Sequence, residues 1–214
     1  MARPVAGKPA AEPRRGESTR VRLVQAAIET LKRVGYAGAS ARVIAATGGF
    51  NQALIFYHFG TVNDLLLAAL DETSAQRMKR YRTAMGSVTG LPELMRLAAE
   101  IYREDLESGH IKVLAELIAG SSSSPELGPR IVERIEPWVR FTEEAIARVL
   151  SGSQLETFMP SRDLAYAIVA LYLGIELLTH LEGDGSRAEA LLETGSRVAQ
   201  LASTLLGVPN TMGA

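Results

Sequence analysis

Apolar residues recur at helical spacing along the whole chain. Val24, Ala27, Ile28, Leu31 and Val34 form a first stripe, capped at its start by Ser18 or Thr19 and ended by Gly35 as a C′ residue. Val43, Ile44, Ala45 and Ala46 carry a second, short stripe behind the N-cap Ser40, and Gly48-Gly49 breaks it where the chain must turn sharply. Asn51 can cap a third helix in which Leu54 and Ile55 face inward while Gln52, Ala53, Phe56 and Tyr57 project elsewhere. Thr61-x-x-Asp64 has the form of a capping box and predicts a fourth helix over about 64–84. Further helical periods follow over 92–108, 111–119, 130–150, 162–181 and 188–206. The serines at 121–124 read as a loop, and Ser123-x-x-Glu126 with Pro125 restarts a helix. Gly128-Pro129 is expected to interrupt that helix and Pro137 to bend it. No strand alternation, hairpin signal or internal repeat is present. The pattern predicts an all-α fold of about nine helices.

Two short helices crossed at a glycine turn form a helix-turn-helix, whose second helix enters the DNA major groove. The net charge of −1 is silent on this, but its distribution is not. Residues 1–60 carry a net +6 and the remainder a net −7, so one part suits phosphate and the other does not. The Pro-, Ala-, Gly- and Arg-rich start reads as a disordered basic tail, a solvated segment first and an arm for the DNA backbone or minor groove second. It has no apolar core of a secretory signal, and the chain has no Cys. The longest apolar run, 164–175, stops at Glu176 and is too short to span a bilayer. These features predict a cytoplasmic protein without membrane contact.

The last two helices differ from the rest. The segment 164–181 is apolar nearly all round, so it needs cover on more than one side. Ala188, Leu191, Leu192, Gly195, Val198, Ala199 and Ala202 form a stripe with small residues at its middle. The simplest second partner is the same helix pair from another copy, a homodimer through Leu164, Ile168, Leu171, Ala188, Leu191, Gly195, Val198 and Ala202. Cover within the monomer is the alternative.

Residues 18–65 resemble the DNA-binding head of the TetR family of transcriptional regulators. The resemblance rests on the amphipathic first helix, GYAGAS, VIAATGGF, NQALIFYHF and GTVNDLL, with IFYHFGTVNDLL as its strongest part. Residues 85–214 match by architecture only. The resemblance implies a tail over 1–17, a helix-turn-helix domain over 18–63, and a ligand-binding and dimerisation domain over 64–214. It implies a homodimeric repressor on a palindromic double-stranded operator, released by a small-molecule effector. Ser40 matches a phosphate-contacting cap and Arg42 a phosphate or base contact. Asn51, Gln52 and Ala53 match the start of the recognition helix, and Tyr57 and His58 the pair that holds the backbone. The chemistry suits these roles: Gln and Asn pair with adenine, Ala meets a thymine methyl, and hydroxyls and helix N-termini suit phosphate. Phe59 reads as core. Two positions depart from the family pattern: Phe56 where Tyr is frequent, and Val62 where Lys is frequent.

The effector region is less marked. Glu176 and His180 are an i, i+4 pair expected on one face of the most apolar helix, either as a satisfied pair or as a polar anchor in an apolar pocket. Tyr102, Trp138, Phe141, Tyr166 and Tyr172 are candidate pocket walls, or simply core. His110 reads as incidental, and Arg77, Lys79, Arg80 and Arg82 as a solvated cationic face. No nucleophile–base pair, phosphate loop or metal-binding spacing stands out, so neither an enzyme nor a cofactor or metal is expected. The competing function is a helical interaction module whose degenerate head no longer binds DNA.

Overall fold

The first helix buries Leu23, Ala27, Leu31 and their neighbours on one side and leaves Arg22, Gln25 and Glu29 in water, as its spacing dictates. The computed structural model describes residues 15–150 and 160–206, in which there are nine α-helices and no strand. They are α1 (Arg15–Gly38), α2 (Ala41–Gly48), α3 (Ala53–Phe59), α4 (Val62–Met85), α5 (Leu91–Ser108), α6 (His110–Gly120), α7 (Leu127–Leu150), α8 (Ser161–Glu182) and α9 (Ser186–Leu206). The helical path of α1 is broken at Gly35, where φ is 70°. A side chain there would be strained, and its Cβ would lie 2.6 Å from Glu116 Oε2, the atom that accepts the Tyr36 N–H at 2.8 Å. The predicted tail over 1–17 lies outside the described residues up to position 14.

The core of the N-terminal helices does not stop where they do. Leu23 and Leu31 of α1, Ile44 of α2, Ile55 of α3 and Leu65–Leu67 of α4 belong to one buried cluster with Val113 and Leu117 of α6 and Leu127 and Ile131 of α7. Polar ties follow the same seam. Thr61 accepts from the Asp64 N–H at 3.0 Å and donates to its carboxylate at 2.6 Å, which closes the capping box. Asp64 also accepts from Arg130 at 2.6 Å, and these partners, Thr61 first, hold its carboxyl below the usual range. Tyr36 Oη meets Ser124 Oγ at 2.9 Å and Asn63 donates to Glu126 at 2.9 Å.

Two expectations about the middle of the chain are corrected. Gly128 and Pro129 do not interrupt α7 but form its first turn, where a missing N–H costs nothing, and the helix continues through Pro137. Arg77 is not on a solvated face but buried, whereas Arg80 and Arg82 reach across to Glu104 and Glu144.

The apolar helix α8 is longer than the run read from sequence, because it continues past Glu176 to Glu182. The helix is 22 residues long and holds an 18-residue window of mean hydropathy 1.7, so it is long and apolar enough to cross a bilayer, contrary to the expectation from the run 164–175. Instead, one side of it packs along α7 through Ala165, Leu164 and Val169, and Glu176 and Thr179 are buried in the protein. Its other side is open: Leu171, Leu178 and Leu181 are 60%, 58% and 73% exposed. Leu191, Val198 and Leu201 of α9 extend the same uncovered character.

Candidate nucleic-acid interface and ligand cavity

The turn between α2 and α3 is set by two glycines. Gly49 ends α2 in the left-handed region with φ 65°, and its N–H bonds Ala45 O. A Cβ on Gly48 would stand 2.0 Å from the Phe50 ring, so the aromatic can fold back over the turn only onto glycine. Ser40 Oγ accepts from the Val43 N–H at 3.4 Å and leaves the start of α2 facing water. Asn51 Oδ1 accepts from the Ala53 N–H at 2.9 Å and caps α3. Ile55 anchors α3, being wholly buried, with Leu54 half-buried beside it.

The outer face of α3 is free. Gln52, Ala53, Phe56 and Tyr57 are exposed, Tyr57 at 83%. The His58 ring meets the Tyr57 ring edge-on at 5.0 Å and is half-buried. Arg42 is exposed on α2. Phe59 packs on the core beneath the Arg20 guanidinium, 4.5 Å above its ring. Val62 also packs on the core, and Phe56 faces solvent without a hydroxyl. Of the side chains named for DNA contact, all but the half-buried His58 are therefore exposed, and Asn51 is already engaged as a cap.

A cavity of about 270 Å³ lies in the C-terminal part, walled by residues such as Leu91, Met95, Ile101, Ile146, Val149 and Leu173. Trp138, Phe141 and Tyr172 are also in its wall. Its polar groups are few: Arg77, His110, Thr142 and Tyr172. Two of these, Arg77 and Tyr172, belong to a buried network that sequence reasoning missed. Asp105, wholly buried, accepts from Arg77 Nε at 2.6 Å and from the Tyr81 hydroxyl at 2.9 Å on Oδ1. Its Oδ2 accepts from Arg77 Nη2 and from the Tyr172 hydroxyl at 2.6 Å. Arg77 also stacks over Trp138, 4.9 Å from the ring centre. His110 is 4% exposed, not incidental; its Nδ1 meets Thr73 Oγ1 at 2.8 Å, and burial, then Arg77 and Lys32, hold its pKa far below the usual value.

The remaining ligand candidates fall elsewhere. Tyr102 is buried, but its hydroxyl meets Thr179 Oγ1 at 3.0 Å and it is not in the cavity wall. Tyr166 and His180 are exposed. Glu176 and His180 do not share an environment: the buried line of α8 runs Ala165, Glu176, Thr179, and the offset of one further residue carries His180 to the outside. Glu176 is 3% exposed beside Tyr172, and burial pushes its carboxyl up to about 7 against the lowering pull of Tyr172 and Arg77.

The residues named for a dimer also divide. Leu171, Leu191 and Val198 stand in the open stripe. Ile168 is partly exposed and, like Leu164, contributes to the cavity wall. Ala188 is buried within the chain, and a Cβ on Gly195 would lie 2.8 Å from Met95 Cε of α5, so these small residues serve packing of α9 on its own protomer. Ala202 is half-buried. Leu177, Leu178, Leu181 and Leu201, unnamed from sequence, complete the stripe.

Comparison with known proteins agrees with this geometry. Residues 23–69 match the signature described as "Bacterial regulatory proteins, tetR family". An uncharacterized HTH-type transcriptional regulator of Mycobacterium bovis is 28% identical over 140 residues, 65% of this chain and 71% of that protein. A TetR-family transcriptional regulator from Cytophaga hutchinsonii has the same fold at a TM-score of 0.73 and 14% identity, over 94% of this chain and 100% of the other. The multidrug binding protein EbrR, solved with malachite green, is 26% identical at a TM-score of 0.55, over 86% of this chain and 98% of the other.

Proposed function

Because the chain belongs to the TetR family of transcriptional regulators, we propose that it is a cytoplasmic homodimeric repressor, released from a palindromic operator when a small molecule fills the C-terminal cavity. In this reading residues 18–63 bind DNA, 64–214 bind the effector and dimerise, and 1–17 are the tail. Gln52 and the free amide of Asn51 read adenine, and Ala53 meets a thymine methyl. Ser40, Tyr57 and His58 hold the backbone, and Arg42 takes a phosphate or a base edge. The observation that carries the reading is the exposed outer face of α3, held in place from below by Ile55 while Gln52, Ala53 and Tyr57 face solvent.

Two further features support it. The open apolar stripe of α8 and α9 suits a self-complementary two-fold interface, which would set two copies of α3 side by side for a two-part operator. The cavity is lined mainly by apolar groups with few polar ones, as small-molecule sites are, and one similar protein is named for multidrug binding. The test is a mobility shift of the full chain on DNA flanking its own gene, with a salt titration and unrelated competitor DNA. Specific, salt-sensitive binding is expected. Weak binding, equal on both DNAs, overturns the assignment.

A further inference from the structure

Four polar side chains interrupt the apolar wall of the C-terminal cavity: Arg77, His110, Thr142 and Tyr172. Three of them spend their protons on the protein itself. Arg77 gives Nε and Nη2 to Asp105, and Tyr172 gives its hydroxyl to the same carboxylate. Thr142 donates to the Trp138 carbonyl at 2.9 Å. The charge of Arg77 is matched by Asp105. His110 differs from the other three. It is 4% exposed, and its Nδ1 lies 2.8 Å from Thr73 Oγ1. Thr73 has already given its hydroxyl proton to the Leu70 carbonyl at 3.0 Å. It can only accept from His110, so the ring proton sits on Nδ1. Burial, then Arg77 and Lys32, bring the His110 pKa down to about 2, and the ring holds no second proton at neutral pH. Nε2 is therefore a bare lone pair, and among the described residues nothing donates to it. Thr73 lines the groove between α1 and α4 and not the cavity, whereas His110 lines both. The two nitrogens of an imidazole point to opposite sides of the ring. With Nδ1 turned to Thr73, Nε2 is turned the other way.

We propose that the effector is an uncharged apolar molecule with one hydroxyl, whose hydrocarbon part fills the cavity and whose O–H donates to His110 Nε2. This rests on the effector-cavity reading above and names the ligand class for it. A hydroxyl gives Nε2 the donor it lacks and brings no charge into a wall whose own charge is already paired. An ammonium would place a second cation beside Arg77. A carboxylate would turn its lone pairs on that of Nε2 and add an anion next to Asp105, so both ions are disfavoured. The contact also reaches towards the head. Nδ1–H of the same ring bonds Thr73 of α4, the helix that starts in the cluster shared with α1, α2 and α3. A donor on Nε2 polarises the ring and strengthens that second bond.

Trp138 is the chain's single tryptophan and stands in the cavity wall, so its fluorescence reports filling directly. The experiment titrates the full chain at neutral pH with octanol, methyl heptyl ether, octanoate and octylamine. The ether is an isomer of octanol without the O–H, and partition into an apolar space alone would favour the ether. Octanol is instead expected to bind about tenfold more tightly than the ether, and more tightly than either ion. In His110→Phe octanol should fall to within about threefold of the ether, while the ether changes by less than about threefold, which also shows that the variant is folded. Thr73→Val keeps the ring and removes the acceptor that holds the proton on Nδ1, so the octanol preference should shrink to below about threefold there as well. Equal binding of octanol and the ether to the natural chain, tighter binding of either ion, or an octanol preference kept by a variant that still binds the ether overturns the hydroxyl assignment and leaves the cavity reading standing. No response to any of the four probes overturns both.

Discussion

At the residue scale, the informative side chains are those whose partners lie far away in sequence. Caps such as Ser40, Asn51 and Thr61 were legible because a cap bonds a backbone group two or three residues on. Arg77 was misread, since a run of Arg and Lys on a helix looks solvated until Asp105, 28 positions away, turns out to face it. His110 and Asp105 carried no local signal for the same reason. Glu176 was legible as an oddity on an apolar helix, and its burial has a pH signature. Folding raises its pKa from 4.5 to about 7, so the native state binds the proton more tightly. The stability this contributes is present below about 4.5 and is lost as pH rises through about 7. Arg77 and Tyr172 face the group and pull the other way, with Asp105 beyond them. Relative to Glu176→Gln, the natural chain should therefore lose at most about 3 kcal/mol between pH 5 and pH 8 in chemical denaturation. Parallel pH profiles would contradict the burial of an ionisable Glu176.

Elements were easier to read than partners, because apolar spacing is a local property. The nine helices and the all-α class follow from it, and errors arose where length or a neighbour decides. Pro129 sits in a first turn, which spacing alone does not distinguish from an interruption. The stripe on α9 was read as one face, yet Ala188 and Gly195 turn towards α5 and the protomer core while Leu191, Val198 and Leu201 turn outward. Only the tertiary packing separates these two lines. Leu178 lies in the uncovered stripe at 58% exposure, so Leu178→Glu should leave the monomer folded and convert the proposed dimer to monomers in sedimentation equilibrium. An unchanged mass would refute that interface. On α3, Gln52→Ala should cost about 1–3 kcal/mol of discrimination between operator and altered sites. Tyr57→Phe should weaken binding alike on every sequence. Competition mobility shifts separate the two, and equal loss of discrimination in both variants contradicts the division of roles.

At the scale of the whole molecule, one buried cluster crosses position 63/64, where the sequence reading divides the head from the body. Charge and motif change there, but the hydrophobic cluster runs on from Leu23 and Ile55 through Leu66 to Leu117 and Ile131. Composition carries no sign of this, because α6 and α7 complete the N-terminal core from far along the chain. Leu117→Ala, a truncation in α6, should cost about 2–5 kcal/mol and lower DNA binding in step with thermal stability. Unfolding should remain a single transition by both far-ultraviolet dichroism and Trp138 fluorescence. Two separate transitions would show that the parts fold independently.

The shared cluster bears on how such regulators can be recombined. Transplanting residues 18–63 onto another body would strip Leu23, Ile55 and their companions of the α6 and α7 surfaces they pack on, and would leave the new α4 facing side chains it was not shaped for. A workable chimera has to carry α4 with the head and match the positions of Val113, Leu117, Leu127 and Ile131 in the recipient. On the proposed reading, DNA specificity in this chain should therefore be exchanged by substituting the exposed side chains of α3, and not by moving the head as a cassette.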